Sequence, residues 1–455
     1  MASAERRSRE VPAQILGPRI VLLLTVLALL LLGLVMVYSS STVEAISEGA
    51  STTSYLVDQL SFAVIGIAAA FIVWKFIPCR LWRGALVWVV WGIAMALLIA
   101  TAAFGTTELG ATRWLSIGPI SLQPSEFAKI ALVLMAARML DDYRNHRIST
   151  KMLFLQAIVL LLLPVMLIYK FQSDLGTTVI CVIGILAVLW MAEVPLGVIF
   201  LYLGVVIVFG VIAIFGSDYR AERFIYLDPW SDEYGEGWQI IHSFYAFAEG
   251  GIFGVGIGNS SEKYLYLPEA ETDFVYAIVG EELGLVGSVG VIVLFMLLLW
   301  AGMRIARTAA DNFGAMIAGS LTIMIVFQAF LNIGCVIGLF PTTGKPLPFL
   351  SSGGSSLIAT LIMIGLILSV SKEAAEPSVY ERRRENLRIV RATGGEEGEE
   401  RRGGSGSASG HPGRRGGASP SYRAFQTARP ARSPSAARPR GGRGRIGNQE
   451  ARTCS

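Results

Sequence analysis

The sequence predicts an all-α integral membrane protein of about ten transmembrane helices, with a large extracytoplasmic loop between the seventh and eighth. Three observations carry that prediction. The 455-residue chain is 53% hydrophobic and only 16% charged, with a mean hydropathy of +0.57, whereas soluble domains carry about 25% charged residues. Uncharged runs at 20–38, 59–74, 84–107, 152–169, 175–192, 194–217, 283–303, 312–344 and 346–371 match the roughly 20 residues that cross a 30 Å hydrocarbon core. The remaining charge is segregated: residues 372–455 hold 18 Lys/Arg against 9 Asp/Glu, while residues 218–282 hold thirteen acidic residues against three basic ones.

The tenth helix is the least obvious. Residues 124–140 contain Glu126 and Lys129, so hydropathy alone scores them weakly. The loop charges require a helix there. Lys and Arg mark the cytoplasmic side, and they fall before the first run (Arg6, Arg7, Arg9, Arg19), between the second and third (Lys75, Arg80, Arg83), around 138–151 (Arg138, Arg144, Arg147, Lys151), at Arg304 and Arg307, and in the tail. Only an even number of spans leaves all of these on one side with both termini cytoplasmic. The first run is longer than the 7–15 residues of a signal-peptide core and no Ala-x-Ala site follows it, so it is expected to be retained. Three segments result: a cytoplasmic stretch 1–19, a polytopic membrane domain 20–371, and a Gly/Ser/Pro/Arg-rich tail 372–455. That tail has too little apolar surface to fold, so disorder is expected, with attraction to anionic lipid or an acidic partner. The four cysteines (Cys79, Cys181, Cys335, Cys454) show no spacing of a disulfide framework or metal knuckle.

Ionisable groups in membrane helices are costly and point to function. Glu126 and Lys129 lie at i, i+3 near the outer end of their helix, where they can pair and line an outward-facing pocket, or simply seal the bundle. Asp174 opens the helix after Gln172-Ser173, as a cap or as a site residue. The run Gly250-Gly251-Ile252-Phe253-Gly254-Val255-Gly256-Ile257-Gly258 resembles a phosphate loop, but no βαβ unit surrounds it; its amides remain a candidate anion nest, with Lys263 close by. Pro268 breaks the structure before Glu269-Ala270-Glu271-Thr272-Asp273, which puts Asp273 at a helix start where the dipole favours its charged form. Thr272 is expected to cap that helix, and Glu281 and Glu282 to face the same cavity. Between the last two helices, the segment from Pro341-Thr342-Thr343-Gly344-Lys345 to Ser355-Ser356 contains three prolines and a hydroxyl/Gly cluster. It reads as a rigid re-entrant loop, a backbone tolerated at membrane depth only when buried in protein or lining a polar cavity.

These segments together resemble the SEDS family of peptidoglycan glycosyltransferases (FtsW/RodA/SpoVE) over residues 15–372, more on the FtsW (division) than the RodA (elongation) side. The matching motifs are Arg113-Trp114, Gln123-Pro124-Ser125-Glu126 with Lys129, Asp174-Leu175-Gly176-Thr177, Tyr219-Arg220 with Arg223, Asp228-Pro229-Trp230, Gly237-Trp238-Gln239, Gly256-Ile257-Gly258-Asn259-Ser260 with Lys263, Leu267-Pro268-Glu269-Ala270, Thr272-Asp273-Phe274, Glu281-Glu282-Leu283-Gly284, Asn332-Ile333-Gly334 and Pro341-Thr342-Thr343-Gly344. Departures are Glu271 where the family usually has His, Ser173 for Pro and Ser352 for Tyr.

The resemblance implies polymerisation of lipid II on the outer face of a bacterial plasma membrane, at the division septum. Asp273 would be the catalytic base. Arg113, Trp114, Glu126, Lys129, Asp174, Arg223, Gln239, Lys263, Thr342, Thr343 and Ser355 would be substrate-binding residues, and the cations among them would face the pyrophosphate. It also implies a class B penicillin-binding protein and other division proteins as partners, and no nucleic acid. A divalent cation (Mg or Mn) is compatible with so acidic a loop, although the sequence fixes no ligand set. A lipid II flippase is the competing function, and a RodA-like elongation polymerase the competing role.

Overall fold

A computed structural model describes residues 13–108, 111–117, 120–204, 228–235 and 237–374. In chain order these are α1 (Ala13–Ser47), α2 (Ser54–Phe76), α3 (Leu86–Phe104), a small antiparallel sheet of β1 (Thr106–Glu108), β2 (Ala111–Ile117) and β3 (Ile120–Leu122), and α4 (Pro124–Arg144). There follow α5 (Thr150–Phe171), α6 (Leu175–Met191), α7 (described over 196–204), α8 (Trp238–Gly250), α9 (Val275–Arg307), α10 (Asn312–Val336) and α11 (Gly354–Ala374). Among the described residues, seven helices (α1, α2, α3, α5, α9, α10 and α11) are long and apolar enough to cross a bilayer, and α6 is a shorter apolar helix. The chain is therefore a multi-pass helical membrane protein. Most of the expected span 194–217 and nearly all of the basic tail lie outside the described residues.

The helix hidden from hydropathy is present and central. Nearly every residue of α4 is buried, because α3, α6, α10 and α11 all pack on it. An ionisable pair is tolerable there only because no face of this helix meets lipid. Conversely α2 and α3 turn large side chains such as Ile65, Phe71, Val89 and Ile93 outward, as expected where the surrounding solvent is hydrocarbon.

The basic loops gather at one end, as their charge pattern predicts. Arg83 pairs with Asp141 (3.4 Å) and Asp311 (2.9 Å), Lys372 donates to the Lys75 carbonyl (2.9 Å), and Arg19 donates to Ser371. The opposite end carries the sheet, α8 and the loops around Asp174, Asp273 and Lys345.

Helix boundaries depart from the sequence reading where non-helical backbone is buried. The run 312–344 is helical only to Val336, and the run 346–371 starts at Gly354. Pro341, Pro346 and Pro348 lack the amide donor a helix needs, so 337–353 forms a loop that dives inward, with Leu347, Phe349 and Leu350 fully buried. The run 283–303 starts earlier, at Val275, and α9 is interrupted at Gly284 (φ 66°). In α5, a π-helical turn at Ala157–Leu162 leaves carbonyls off the helical ladder, and the Leu160 carbonyl accepts the Trp91 indole N–H (2.9 Å).

Small residues set how closely the helices approach. A Cβ on Gly365 of α11 would lie 2.6 Å from the Ala70 carbonyl oxygen of α2, whereas one on Gly92 would meet nothing within 4 Å. Gly365→Ala should therefore cost about 1–3 kcal/mol through overpacking, while Gly92→Ala should be neutral. Thermal unfolding in one detergent checks this, and equal midpoints for the two variants would refute the close-packing account.

Candidate active site

The site is assembled from the starts of two helices and from one inward loop. At the head of α6, Asp174 is the N-cap: its carboxylate accepts the Thr177 amide (2.9 Å) and hydroxyl (2.8 Å). The same carboxylate receives Lys345 Nζ at 2.6 Å and Gln123 Nε2 at 3.3 Å. Asp174 and Lys345 are both buried. The cap reading and the site reading of Asp174 therefore meet in one residue. It fixes the floor of the site and holds down the loop that carries Lys345. Gln123, the N-cap of α4, adds its backbone amide to Ser355 Oγ (3.0 Å), so Ser355 braces the helix start.

Asn332 of α10 is a second fastener. Its side-chain amide donates to the backbone carbonyls of Asp273 (2.7 Å) and Lys345 (2.8 Å), fixing the two key segments relative to each other. Gln328, one turn earlier, donates to the Pro346 carbonyl (3.1 Å). The Ser352 amide donates to the Glu271 carbonyl (2.8 Å), and Gln59 of α2 donates to the Ser351 carbonyl (3.0 Å). The expected rigid loop is thus held from three sides.

These fasteners enclose a cavity of about 380 Å³, lined by Arg113, Trp114, Gln123, Gln239, Glu269, Thr272, Asp273, Asn332, Thr342, Thr343, Gly344, Lys345, Ser352 and Ser356 among others. Arg113 on β2 is anchored by the carbonyls of Gln172 (3.2 Å) and Ser173 (3.0 Å), and among the described residues no carboxylate forms an ion pair with it. Gly344 (φ 61°) keeps the middle open: a Cβ there would stand 3.4 Å from Asp273 Oδ2 and 3.8 Å from Arg113 Nη1. A carboxylate and a guanidinium thus face one small space. Burial first, then the neighbouring Glu269, pushes the Asp273 carboxyl up to about 6, against the opposing pull of Lys345 and Arg113. Among the described residues no hydrogen bond or ion pair reaches that carboxylate, which leaves it available to a ligand.

The placement of the remaining candidates is uneven. Arg113, Trp114, Gln239, Asp273, Thr342 and Thr343 share the cavity, with Asp174 and Ser355 directly behind it. Glu126 and Lys129 do not line it: they form a sealed pair (2.8 Å) with side-chain exposures of 0% and 1%. Lys129 also donates to Gln328 Oε1 (2.7 Å), so the pair touches the site only through Gln328. Lys263 is also elsewhere, bonded to Glu282 (3.2 Å), Ser39 and the Gly258 carbonyl. Glu281 and Glu282 do not face the cavity either, because Ser260, Ser261 and Ser39 occupy their carboxylates. Arg223 lies outside the described residues.

Three local expectations are corrected. The glycine-rich segment is no anion nest: the amides of Val255 and Gly256 donate to the carbonyls of Glu281 and Glu282 (3.0 Å each) that the break in α9 exposes. Thr272 does not cap α9, since its hydroxyl donates to Glu269 Oε2 (2.6 Å) and the N-cap Phe274 has no side-chain bond. The helix start does not hold Asp273 in its charged form, because burial pushes its carboxyl up to about 6.

Sequence reasoning passed over Lys345, Glu269 and Asn332 as site residues. A lysine inside a proline-rich apolar loop was the available signal for Lys345. The role of Asn332 depends on a tertiary contact that no local pattern encodes. Because Lys345 neutralises a fully buried carboxylate, Lys345→Ala should destabilise the fold by about 3–5 kcal/mol. The double variant Lys345→Ala/Asp174→Asn should recover part of that loss. Detergent melting curves decide it: a single variant as stable as wild type would show that the pair does not hold the site together.

Comparison with known proteins agrees with this architecture. The profile of the FtsW/RodA/SpoVE family, described as cell cycle proteins, matches residues 19–376. The chain is 38% identical to stage V sporulation protein E of Bacillus subtilis over 360 residues, covering 78% of this chain and 97% of the relative. It is also 38% identical over 358 residues to the probable peptidoglycan glycosyltransferase FtsW of Geobacter metallireducens, covering 77% and 94%. Among solved structures, it is similar to a chain of a peptidoglycan synthase complex described as coordinating polymerization and crosslinking (TM-score 0.63, 29% identity, covering 78% and 98%). The rod-shape-determining protein RodA of Thermus thermophilus is similar as well (TM-score 0.57, 26% identity, covering 78% and 97%). The chain belongs to the FtsW/RodA/SpoVE family.

Proposed function

We propose that the chain is a peptidoglycan glycosyltransferase of the FtsW kind, polymerising lipid II into glycan strands during cell division. The observation that carries the mechanism is the unpartnered Asp273 carboxylate facing Arg113 and Lys345 across one cavity. Asp273 takes the proton from the acceptor sugar's 4-hydroxyl as its oxygen bonds to the donor's anomeric carbon. The bond from that carbon to the pyrophosphate breaks, and undecaprenyl pyrophosphate leaves with the electron pair. Arg113, held by carbonyls rather than by an acid, is the cation best placed to stabilise the leaving charge, because Lys345 is already shared with Asp174. Thr342 and Thr343 offer hydroxyls, and Gln239 an amide, to the sugars.

Among the described residues no three His, Cys, Asp or Glu side chains gather as a metal site, and no step here is routed through an ion. Transport of lipid II, the alternative, needs buried charged groups such as Glu126, Lys129 and Asp174 to line a path across the membrane. Each is sealed by its partners, so nothing in the structure favours it. The basic end faces the cytoplasm and the cavity the outside of the plasma membrane, at the division septum. A class B penicillin-binding protein is the transpeptidase partner, in keeping with the synthase-complex relative, and the Arg-rich tail would engage lipid or other division proteins.

Asp273→Asn keeps the shape and removes the base, so polymerisation from purified protein and lipid II should fall about 10²–10⁴-fold, with lipid II binding retained. Near-normal polymer on a gel would remove Asp273 from the chemistry.

The pH dependence has a definite sign. A base works deprotonated, so activity should decline as pH drops through about 6, the raised value of Asp273. Glu269 contributes to that elevation, hence Glu269→Gln should move the acid limb to lower pH. An unmoved or upward-shifted limb would contradict the assignment.

A further inference from the structure

A second cavity, about 510 Å³ in volume, opens beside the first. Among the described residues it is lined by Tyr234, Gly235, Trp238, Gln239 and Pro268. Two independent segments join the cavities. Gln239 of α8 lines both, and the stretch that puts Pro268 on the second puts Glu269, Thr272 and Asp273 on the first. A ligand in the second cavity is therefore one short step from the Asp273 carboxylate.

The lining identifies the chemistry. Among the described residues that lining is two aromatic rings, a side-chain amide, a glycine and a proline. The rings of Tyr234 and Trp238 stand 6.2 Å apart, tilted by 32°. The Trp238 indole is locked from behind, with its N–H on the Tyr266 carbonyl (2.6 Å) and its ring 4.0 Å from that of His242. His242 is fixed in turn by Glu262 at 2.6 Å. A rigid, amphipathic aromatic beside an amide suits a pyranose ring, whose axial C–H face is apolar and whose rim is all hydroxyl and acetamide. The volume falls within the usual range of small-ligand sites. Tyr234 itself is 87% exposed, so its ring is open to a ligand.

We propose that Trp238, Tyr234 and Gln239 form a saccharide subsite that holds the glycan strand next to the reacting sugar. The inference rests on the reading of the first cavity as the polymerisation site, but its test does not need chemistry. Binding of a lipid-free, uncharged N-acetylglucosamine oligosaccharide to the purified full chain is measured by saturation-transfer NMR. Trp238→Ala and Tyr234→Ala should each weaken it about ten-fold, as truncation of an aromatic anchor does, and Trp238→Phe should retain most of it. Polymer made from lipid II by these variants should be shorter. Because Trp238 also packs on His242, the surface residue Tyr234 is the variant that guards against misfolding. Wild-type binding in both alanine variants would overturn the subsite. Asp273→Asn should bind the oligosaccharide normally. If it also polymerises normally while the aromatic variants lose binding, the catalytic reading fails and the subsite stands.

Discussion

The carboxylate of Asp174 receives four donors from three parts of the chain: the start of its own helix, Gln123 at the head of α4, and Lys345 from the inward loop. Neither partner of the Asp174–Lys345 pair is stable alone in a medium with no water to solvate it. The pair therefore fixes the order of events in the site. The inward loop can sit at membrane depth only with Lys345 on Asp174, and Gly344 can present its open face between Asp273 and Arg113 only with that loop in place. Asn332 makes the same dependence run the other way, by tying the Asp273 backbone to the Lys345 backbone. The cavity is thus a consequence of backbone and charge satisfaction as much as of side-chain choice.

The same constraint explains the break in α9. A helix interrupted at Gly284 exposes carbonyls, and in hydrocarbon each would cost several kcal/mol. Here the segment after α8 docks into the break. Val255 and Gly256 donate to Glu281 and Glu282, and Leu285 and Val286 donate back to Gly251 and Ile252. Side-chain volume is forbidden at the contact, since a Cβ on Gly254 would lie 2.1 Å from the Glu282 carbonyl oxygen. The glycines are conformational joints, and the chemistry that a glycine-rich run suggests is spent on this repair. The carboxylates of Glu281 and Glu282 then close the polar interior through Ser260, Ser39 and Lys263.

Periodicity and charge segregation made the membrane architecture legible, including the buried α4, which only the alternation of basic loops revealed. Asp273 was legible because a proline break followed by an acidic residue at a helix start is a local pattern. What the sequence hid was direction. Glu126 and Lys129 on α4 point into protein toward Gln328, and no spacing rule says whether an i, i+3 pair faces a pocket or a neighbouring helix. Lys263 bonds Glu282 and Ser39 instead of lining the cavity, through tertiary contacts that no local pattern encodes.

The arrangement of charge along the two cavities follows from what each must hold. Arg113 and Lys345 sit at the α6 end of the first cavity, while the carboxylates of Glu269 and Asp273 come from the segment before α9. Charge is thus graded from cationic to acidic across the space, and the second cavity continues it past the acidic side into a wall with no cation among the described residues. A pyrophosphate would be favoured at the cationic end and disfavoured beside Glu269 and Asp273. An uncharged pyranose ring is indifferent to the gradient and is selected instead by ring faces and amides. On the proposed reading, one substrate that carries both groups would lie with its pyrophosphate against Arg113 and its sugars running past Asp273 toward Trp238. Asp273, as the proposed base, would then stand at the junction of the pyrophosphate and the sugars, which is where the bond between them has to break.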